Sequence, residues 1–496
     1  MKFGFASAFV FSVLMLTGLG FLLTTGENST LEQTGEPLVI YCAAGIRLPV
    51  EEVLEEYEKQ YGVTFLTKFA GSGELKSDLR VGGGDLYLAA DVTYLIETRE
   101  RGLVREFVPI AHQYPVIAVR KGNPKHIRGL EDLQRDDVQL SLADPDRAAV
   151  SKVTRKLLKP SGQWEPIWKR VAVQRGTVNE VANDIAKLAS GDAGIVWNAT
   201  AGQYDDLEII SVPELEQSPN QITIGVLESS KQPTRALHFI RYLTSRDRGL
   251  KHFQKFGYKI VNGDKWVEKP EIVVFSGGLN FPAIEETIEE FENREGVTVL
   301  TTAGGCGTLV GQMKAGAHPD IYFSCDVSFM SDVKDLFLDA VNVSQTDMVI
   351  ITQKGNEHRI QTIKDLTQQG LELALCDPQK SALGRLTEQL LRKHGLLNGV
   401  RANQTVTGPT AAETVMYVVN GKLDAAIVYK ANTIHQAKRG NLEVIPIDDP
   451  DAIAIQPLAV GKESDFPLLT ERLREQILSA NSKKSFGKFG FKWLVE

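Results

Sequence analysis

Ala70-Gly-Ser-Gly-Glu-Leu75, a short helical span, and then Gly84-Asp-Leu-Tyr-Leu-Ala-Ala-Asp91 occur twice in this chain. The second copy opens as Ala303-Gly-Gly-Cys-Gly-Thr-Leu309 and closes as Pro319-Asp-Ile-Tyr-Phe-Ser-Cys-Asp326. In each copy a glycine-rich turn with one hydroxyl or thiol, Ser72 or Cys306, opens a helix, and a buried strand follows. The first amides of a helix lack backbone partners, so a turn of this kind can hold an anion without a basic residue.

Working outward, Gly45 corresponds to Gly278 and Asp144-Pro145 to Asp377-Pro378, all displaced by the same number of residues. Phe253-Gln-Lys-Phe-Gly-Tyr-Lys259 returns as Phe486-Gly-Lys-Phe-Gly-Phe-Lys492 at that spacing. A repeat this long is a duplicated domain and not a solenoid unit, and each copy is large enough to bury its own core. The expected division is an export or anchor segment with its spacer, 1–36, then two oxyanion-binding modules, 37–262 and 268–496.

Lys2 followed by an almost unbroken apolar run from Phe3 to Leu23 reads as an export signal, either cleaved or kept as a membrane anchor. No cysteine follows closely, which argues against a lipoprotein anchor; Cys42 already lies in the first strand of the fold. With 43% hydrophobic residues, 24% charged residues and a formal net charge of −8, the chain reads as an exported protein that repels nucleic acid. The four cysteines, Cys42, Cys306, Cys325 and Cys376, stand where the other repeat has Phe275, Ser72, Ala90 and Ala143. A disulfide framework would recur in both copies, so they read as small buried side chains.

Leu38–Ala43 reads as a buried strand, and Pro49 opens a glutamate-rich helix through Tyr61. Strands then alternate with helices: Val63–Lys68, Asp85–Ala90, Tyr114–Arg120, Val138–Leu142, one near Val171, Ala193–Trp197 and Ile222–Leu227. Apolar runs without alternation, separated by helices, point to an α/β fold with mainly parallel sheets covered on both faces. Four turns in the first module lead into helices: Ala43-Ala44-Gly45, Gly71-Ser72-Gly73, Asp146-Arg147-Ala148-Ala149 and Gly176-Thr177-Val178-Asn179. Parallel topology gathers such turns at the carboxyl ends of the strands, where amides and hydroxyls can surround a tetrahedral anion. Thr177-Val-Asn-Glu180, repeated as Thr410-Ala-Ala-Glu413, is a capping box, which gives Glu180 and Glu413 a structural role.

The order Ala-Ala-Gly, Ala-Gly-Ser-Gly, Asp-Leu-Tyr-Leu-Ala-Ala-Asp, Ala-Asp-Pro, Gly-Ile-Val-Trp and Lys-Phe-Gly-Tyr resembles the periplasmic molybdate-binding proteins of molybdate ABC transporters, and it does so in both halves. The resemblance implies two tandem type II periplasmic-binding modules, each of two lobes around a cleft. It also implies capture of molybdate or tungstate in the periplasm or another extracytoplasmic space, and delivery to a membrane ABC permease. By motif position, the ligand-contacting places fall on Gly45, Ser72, Val150, Asn179 and Trp197 in the first module. In the second they fall on Gly278, Cys306, Leu383, Ala412 and Tyr429. Both first turns carry glycine where that family usually has serine. Only the first module keeps the serine Ser72, and only the second keeps the final tyrosine, Tyr429.

The expected function is therefore oxyanion binding without catalysis or cofactor, by a monomer whose metal enters as the oxyanion and not through side-chain coordination. Eight histidines form no metal-ligand spacing, and no serine or cysteine sits in a nucleophile motif with a base. The alternatives are a membrane-tethered anion sensor or scaffold with one or both clefts degenerate, and a binder of another anion or of ferric iron. Iron sites need clustered tyrosine, histidine or carboxylate ligands, which these turns lack. Counting side-chain donors ranks the first module ahead, since Ser72 and Asn179 face Cys306 and Ala412. Each module is expected to close like a hinge, the chain crossing between lobes near His112–Val116 and Ser218–Ile222.

Overall fold

The computed structural model describes residues 36–495; the apolar run from Phe3 to Leu23 lies outside them. In the first half, β1 (Leu38–Ala43) lies between β2 (Phe65–Ala70) and β3 (Leu86–Ala89), parallel to both. β1 is almost wholly buried because the helix Arg47–Tyr61 covers it with Val50, Val53, Leu54 and Tyr57, one apolar stripe at helical spacing. Gly62, at φ 67°, ends that helix in the left-handed conformation, and Gly296, at φ 66°, does the same for the corresponding helix Phe281–Glu295.

The sheet is completed by β4 (Val104–Gln113), β10 (Asn220–Leu227) and β11 (Lys259–Ile260), in the order β11-β4-β10-β3-β1-β2. β10 runs antiparallel to both β3 and β4. A second sheet has the order β7-β6-β8-β5-β9, from β5 (Pro115–Arg120), β6 (Leu140–Ala143), β7 (Val171–Arg175), β8 (Ala193–Trp197) and β9 (Leu207–Ile210). Here β6 is parallel to β7 and β8, whereas β5 is antiparallel to β8 and β9. The expectation of a mainly parallel sheet is thus corrected: each lobe has a parallel core of three strands with antiparallel strands added beside it. β4 escaped the sequence reading because its charges and Pro109 break the apolar run, and its pairing with β10 is irregular near Thr223.

The chain passes from one sheet to the other at Tyr114, between β4 and β5, and returns between β9 and β10, the two places expected for lobe crossings. The second half repeats this order with one change. Its strand β15 (Val341–Gln353) runs unbroken through both lobes, pairing with β20 (Ile453–Val460) in one and with β18 (Ala425–Tyr429) in the other, so that ten strands form one sheet. Two hydrophobic cores result, one from Leu38 to Tyr258 and one from Ile272 to Phe491.

The halves are joined by a buried ionic contact. Glu295, 3% exposed, accepts a bidentate pair from Arg472 at 2.8 and 2.9 Å, and Arg241 donates to its carbonyl. Burial works against the charged form of Glu295, but Arg472, Arg241 and Arg294 outweigh it and hold its carboxyl below the usual range. Arg294 is paired with Glu106 at 3.0 and 3.1 Å. Asp264, in the connecting segment, accepts from the amides of Leu468 and Leu469 and so caps the helix Pro467–Ile477 across the junction. Burial pushes the Asp264 carboxyl up to about 6 against Arg472 and these two amides.

Candidate functional site

In each half, four turns from two lobes converge on one cleft. In the first they precede or open the helices Arg47–Tyr61, Ser72–Gly82, Ala149–Leu158 and Val178–Asn183. Thr177 and Glu180 form the expected reciprocal capping box; Thr410 accepts from the Glu413 amide in the second half. The geometry directs several helix N-termini, with their positive dipole ends, at one point.

The glycines of the Gly-x-Gly turns serve lobe contact. The Gly73 amide donates across the cleft to the Arg147 carbonyl at 2.8 Å, and Gly307 donates to Lys380 at 3.0 Å. A Cβ on Gly73 would lie 2.1 Å from the Asp146 carbonyl oxygen, and one on Gly307 would lie 1.9 Å from that of Gln379. Both modules are therefore closed, with backbone pressed on backbone where only glycine fits. The Arg147 guanidinium also meets Glu74 over the lip of the first cleft, with Nε 3.2 Å from the carboxylate. Sequence reading assigned these glycines to ligand approach; their near-invariant spacing in the two repeats was the available signal, but it did not distinguish an anion from a carbonyl.

Within the first cleft, the Ser72 hydroxyl accepts from the Ala90 amide at 3.2 Å, which leaves its proton free to donate into the cleft. The Gly45 carbonyl accepts from Tyr258 at 2.7 Å, and a Cβ on Gly45 would meet Val178 at 2.8 Å and Trp197 at 3.3 Å. Gly45, Ser72, Val150 and Trp197 all line the same space, but only about 10 Å³ is left open there. Asn179 does not line it, and its side-chain oxygen is buried without a hydrogen-bond partner among the described residues. The second residue of a helix points along the helix flank, and motif position alone did not reveal which way.

In the second cleft, Gly278, Cys306, Leu383, Ala412 and Tyr429 line a single cavity of about 160 Å³ together with Cys325, Ser381, Thr410 and Asn432. The extra room follows from substitution: Ala411 stands where the first cleft has Val178, and Tyr429 replaces Trp197. A Cβ on Gly278 would meet nothing closer than the Gly304 carbonyl at 3.7 Å. A cavity needs roughly 10–15 Å³ of such space to hold one water. The closed first cleft thus admits about one water and the second several.

Two polar atoms at the second cavity, the Tyr429 hydroxyl and the Asn432 side-chain oxygen, are buried without a hydrogen-bond partner among the described residues. Burial, and then the neighbouring Cys325 and Asp326, push the Tyr429 phenol far up, so it stays protonated and remains a donor. All four cysteines are buried and unbridged, and the Cys325 amide donates to the Cys306 sulfur at 3.1 Å, copying the Ala90 to Ser72 bond. A larger hollow of about 360 Å³ beside β16 (Leu373–Cys376) lies off the cleft, and its Arg401 and Glu388 already satisfy each other at 2.6 Å. Among the described residues no group of three or more His, Cys, Asp or Glu is placed to hold a metal ion, and no helix is long and apolar enough to cross a membrane.

A family model described as bacterial extracellular solute-binding protein matches residues 38–259 and again 272–492. A "putative binding protein" of Haemophilus influenzae is 27% identical over 234 residues, covering 46% of this chain and 94% of that protein. The molybdate-binding protein ModA of Mycobacterium tuberculosis H37Rv is 27% identical over 225 residues, covering 44% of this chain and 84% of its own. Among solved structures, the periplasmic molybdate-binding protein of Azotobacter vinelandii is 17% identical with a TM-score of 0.40, covering 44% of this chain and 98% of that one. Each such relative corresponds to one half, and the chain belongs to the bacterial extracellular solute-binding proteins, with that family's domain present twice.

Proposed function

We propose that this protein is a tandem oxyanion receptor that captures molybdate or tungstate outside the cytoplasm and hands it to a membrane ABC permease, with 37–262 and 268–496 as its two modules. The observation that carries this reading is the second cavity, where helix N-termini meet and a neutral, buried, unpartnered Tyr429 hydroxyl faces the space. A buried donor left unmade costs ~1–3 kcal/mol, and an anion in the cavity would recover that. The filled first cleft favours a narrower form of the same reading, in which only the second module retains ligand with the lobes as closed as they stand here.

Titration calorimetry with molybdate, tungstate, sulfate and phosphate tests the assignment. Molybdate or tungstate is expected to bind at least about tenfold more tightly than phosphate, whose remaining proton finds no acceptor among the turn amides and would have to reach the Asn432 side-chain oxygen; equal affinity for phosphate would refute it. Tyr429→Phe is expected to weaken molybdate binding by roughly tenfold or more, since a hydrogen bond to a charged group contributes ~1.5–3 kcal/mol. Trp197→Phe, in the filled cleft, should change it little; the opposite order would assign the ligand to the first module.

A further inference from the structure

Cys306 and Cys325 stand at the positions that Ser72 and Ala90 hold in the first module, so one cleft of the pair carries two thiols and the other carries none. Both sulfurs belong to the wall of the second cavity, where the side chains are 1% and 6% exposed. They converge on one spot: a Cβ on Gly277 would lie 2.1 Å from the Cys325 sulfur and 3.0 Å from the Cys306 sulfur. The two sulfurs are therefore near neighbours in the wall of the cavity, close enough for one atom to be bonded to both. The interaction with Cys325 draws the Cys306 thiol below its ordinary range, and Cys325 is raised in turn by that interaction and by burial. Across the same cavity lies the unpartnered Tyr429 hydroxyl.

Resting on the reading of this cleft as an oxyanion site, we infer that the second module also binds a thiophilic oxyacid, one with a soft trivalent centre such as arsenic(III), through the paired sulfurs of Cys306 and Cys325. Two thiol sulfurs select a soft centre, while helix N-termini and a phenol select one that still carries oxygen. The balance is a condensation without redox change. Arsenious acid meets two thiols; two S–As bonds form and two As–O bonds break. The two thiol protons leave with the two hydroxyls as two waters, and arsenic stays trivalent. The remaining As–OH is left to hydrogen-bond to Tyr429.

The test is equilibrium dialysis of the full exported chain, reduced with a phosphine that is then removed, against arsenite, with bound arsenic counted by elemental mass spectrometry. One arsenic per chain is expected. Cys306→Ser and Cys325→Ala copy the first module's own residues, so the fold tolerates them, and each should lower retention by at least about tenfold, the loss that removing even an outer partner brings to a metal site. Cys42→Ser and Cys376→Ser should leave it unchanged. No retained arsenic, or retention that survives either cleft variant, overturns the inference. Molybdate calorimetry on the same samples separates the two readings: molybdate bound without arsenite sinks the dithiol site alone, and arsenite bound without molybdate upholds it while the proposed function falls.

Discussion

Glu295→Ala is expected to lower the unfolding free energy by about 3–5 kcal/mol, the usual result of stripping one member from a buried ion pair. Its carboxylate is the shared counter-ion of Arg472 and Arg241, side chains 7% and 4% exposed, and neither has another carboxylate within hydrogen-bond distance. Without it the Arg472 and Arg241 guanidinium groups lose their shared counter-ion, and Arg241 is already held below its usual range by burial. Arg472 Nη1 and Arg241 Nε also lack partners among the described residues. Chemical denaturation followed by tryptophan fluorescence gives the number. The control is Glu74→Ala at the exposed lip pair with Arg147, expected within ~0–1 kcal/mol. A change at Glu295 no larger than at Glu74 would mean that the junction between the halves contributes nothing to stability.

Gly307→Ala is expected to hold the second module open and to cost molybdate roughly one to two decades of affinity. The added methyl would sit 1.9 Å from the Gln379 carbonyl and would break the Gly307 to Lys380 hydrogen bond that joins the lobes. Overpacking of this kind costs ~1–3 kcal/mol, and ligand affinity falls by the same factor as the closed population. Gly73→Ala should do the same to the first module against the Asp146 carbonyl. Small-angle scattering reads the consequence directly: the wild type should compact when molybdate is added, and Gly307→Ala should not. Compaction and affinity both unchanged in the variant would refute closure through this contact.

Much of this arrangement was legible in the residues. The repeat gave two modules because identical turn chemistry recurred at one displacement, and strands such as Ala193–Trp197 were readable to the residue because they are buried on both faces. What escaped was whatever depends on the opposing lobe. Pro109 and scattered charge disguised β4, whose burial comes from β10, far along the chain. Asn179 was placed at the ligand by motif position, yet it is not among the residues that line the first cleft. The donor count favoured the first cleft because a list of donors carries no volume. Val178 and Trp197 fill that space in one copy, whereas Ala411 and Tyr429 leave it open in the other. Cys325 was legible as a small buried side chain; that it faces Cys306 could have been guessed only from both exchanges to cysteine falling in the same repeat.

The unbroken course of β15 gives the two modules different mechanics. In the first, the strand is interrupted at Tyr114 between β4 and β5, so at this one of its two crossings a residue outside both strands can take up rotation. In the second, Val341–Gln353 is paired along its length in both lobes, so the same rotation must be spread as twist over a continuous strand, which behaves as a leaf spring. A break in a strand takes up rotation locally, whereas a continuous strand resists it along its whole length. Opening the second module therefore works against that twist, so where the affinities agree its capture and discharge of ligand should be slower than those of its twin; stopped-flow release of bound molybdate at equal or higher rates would refute this.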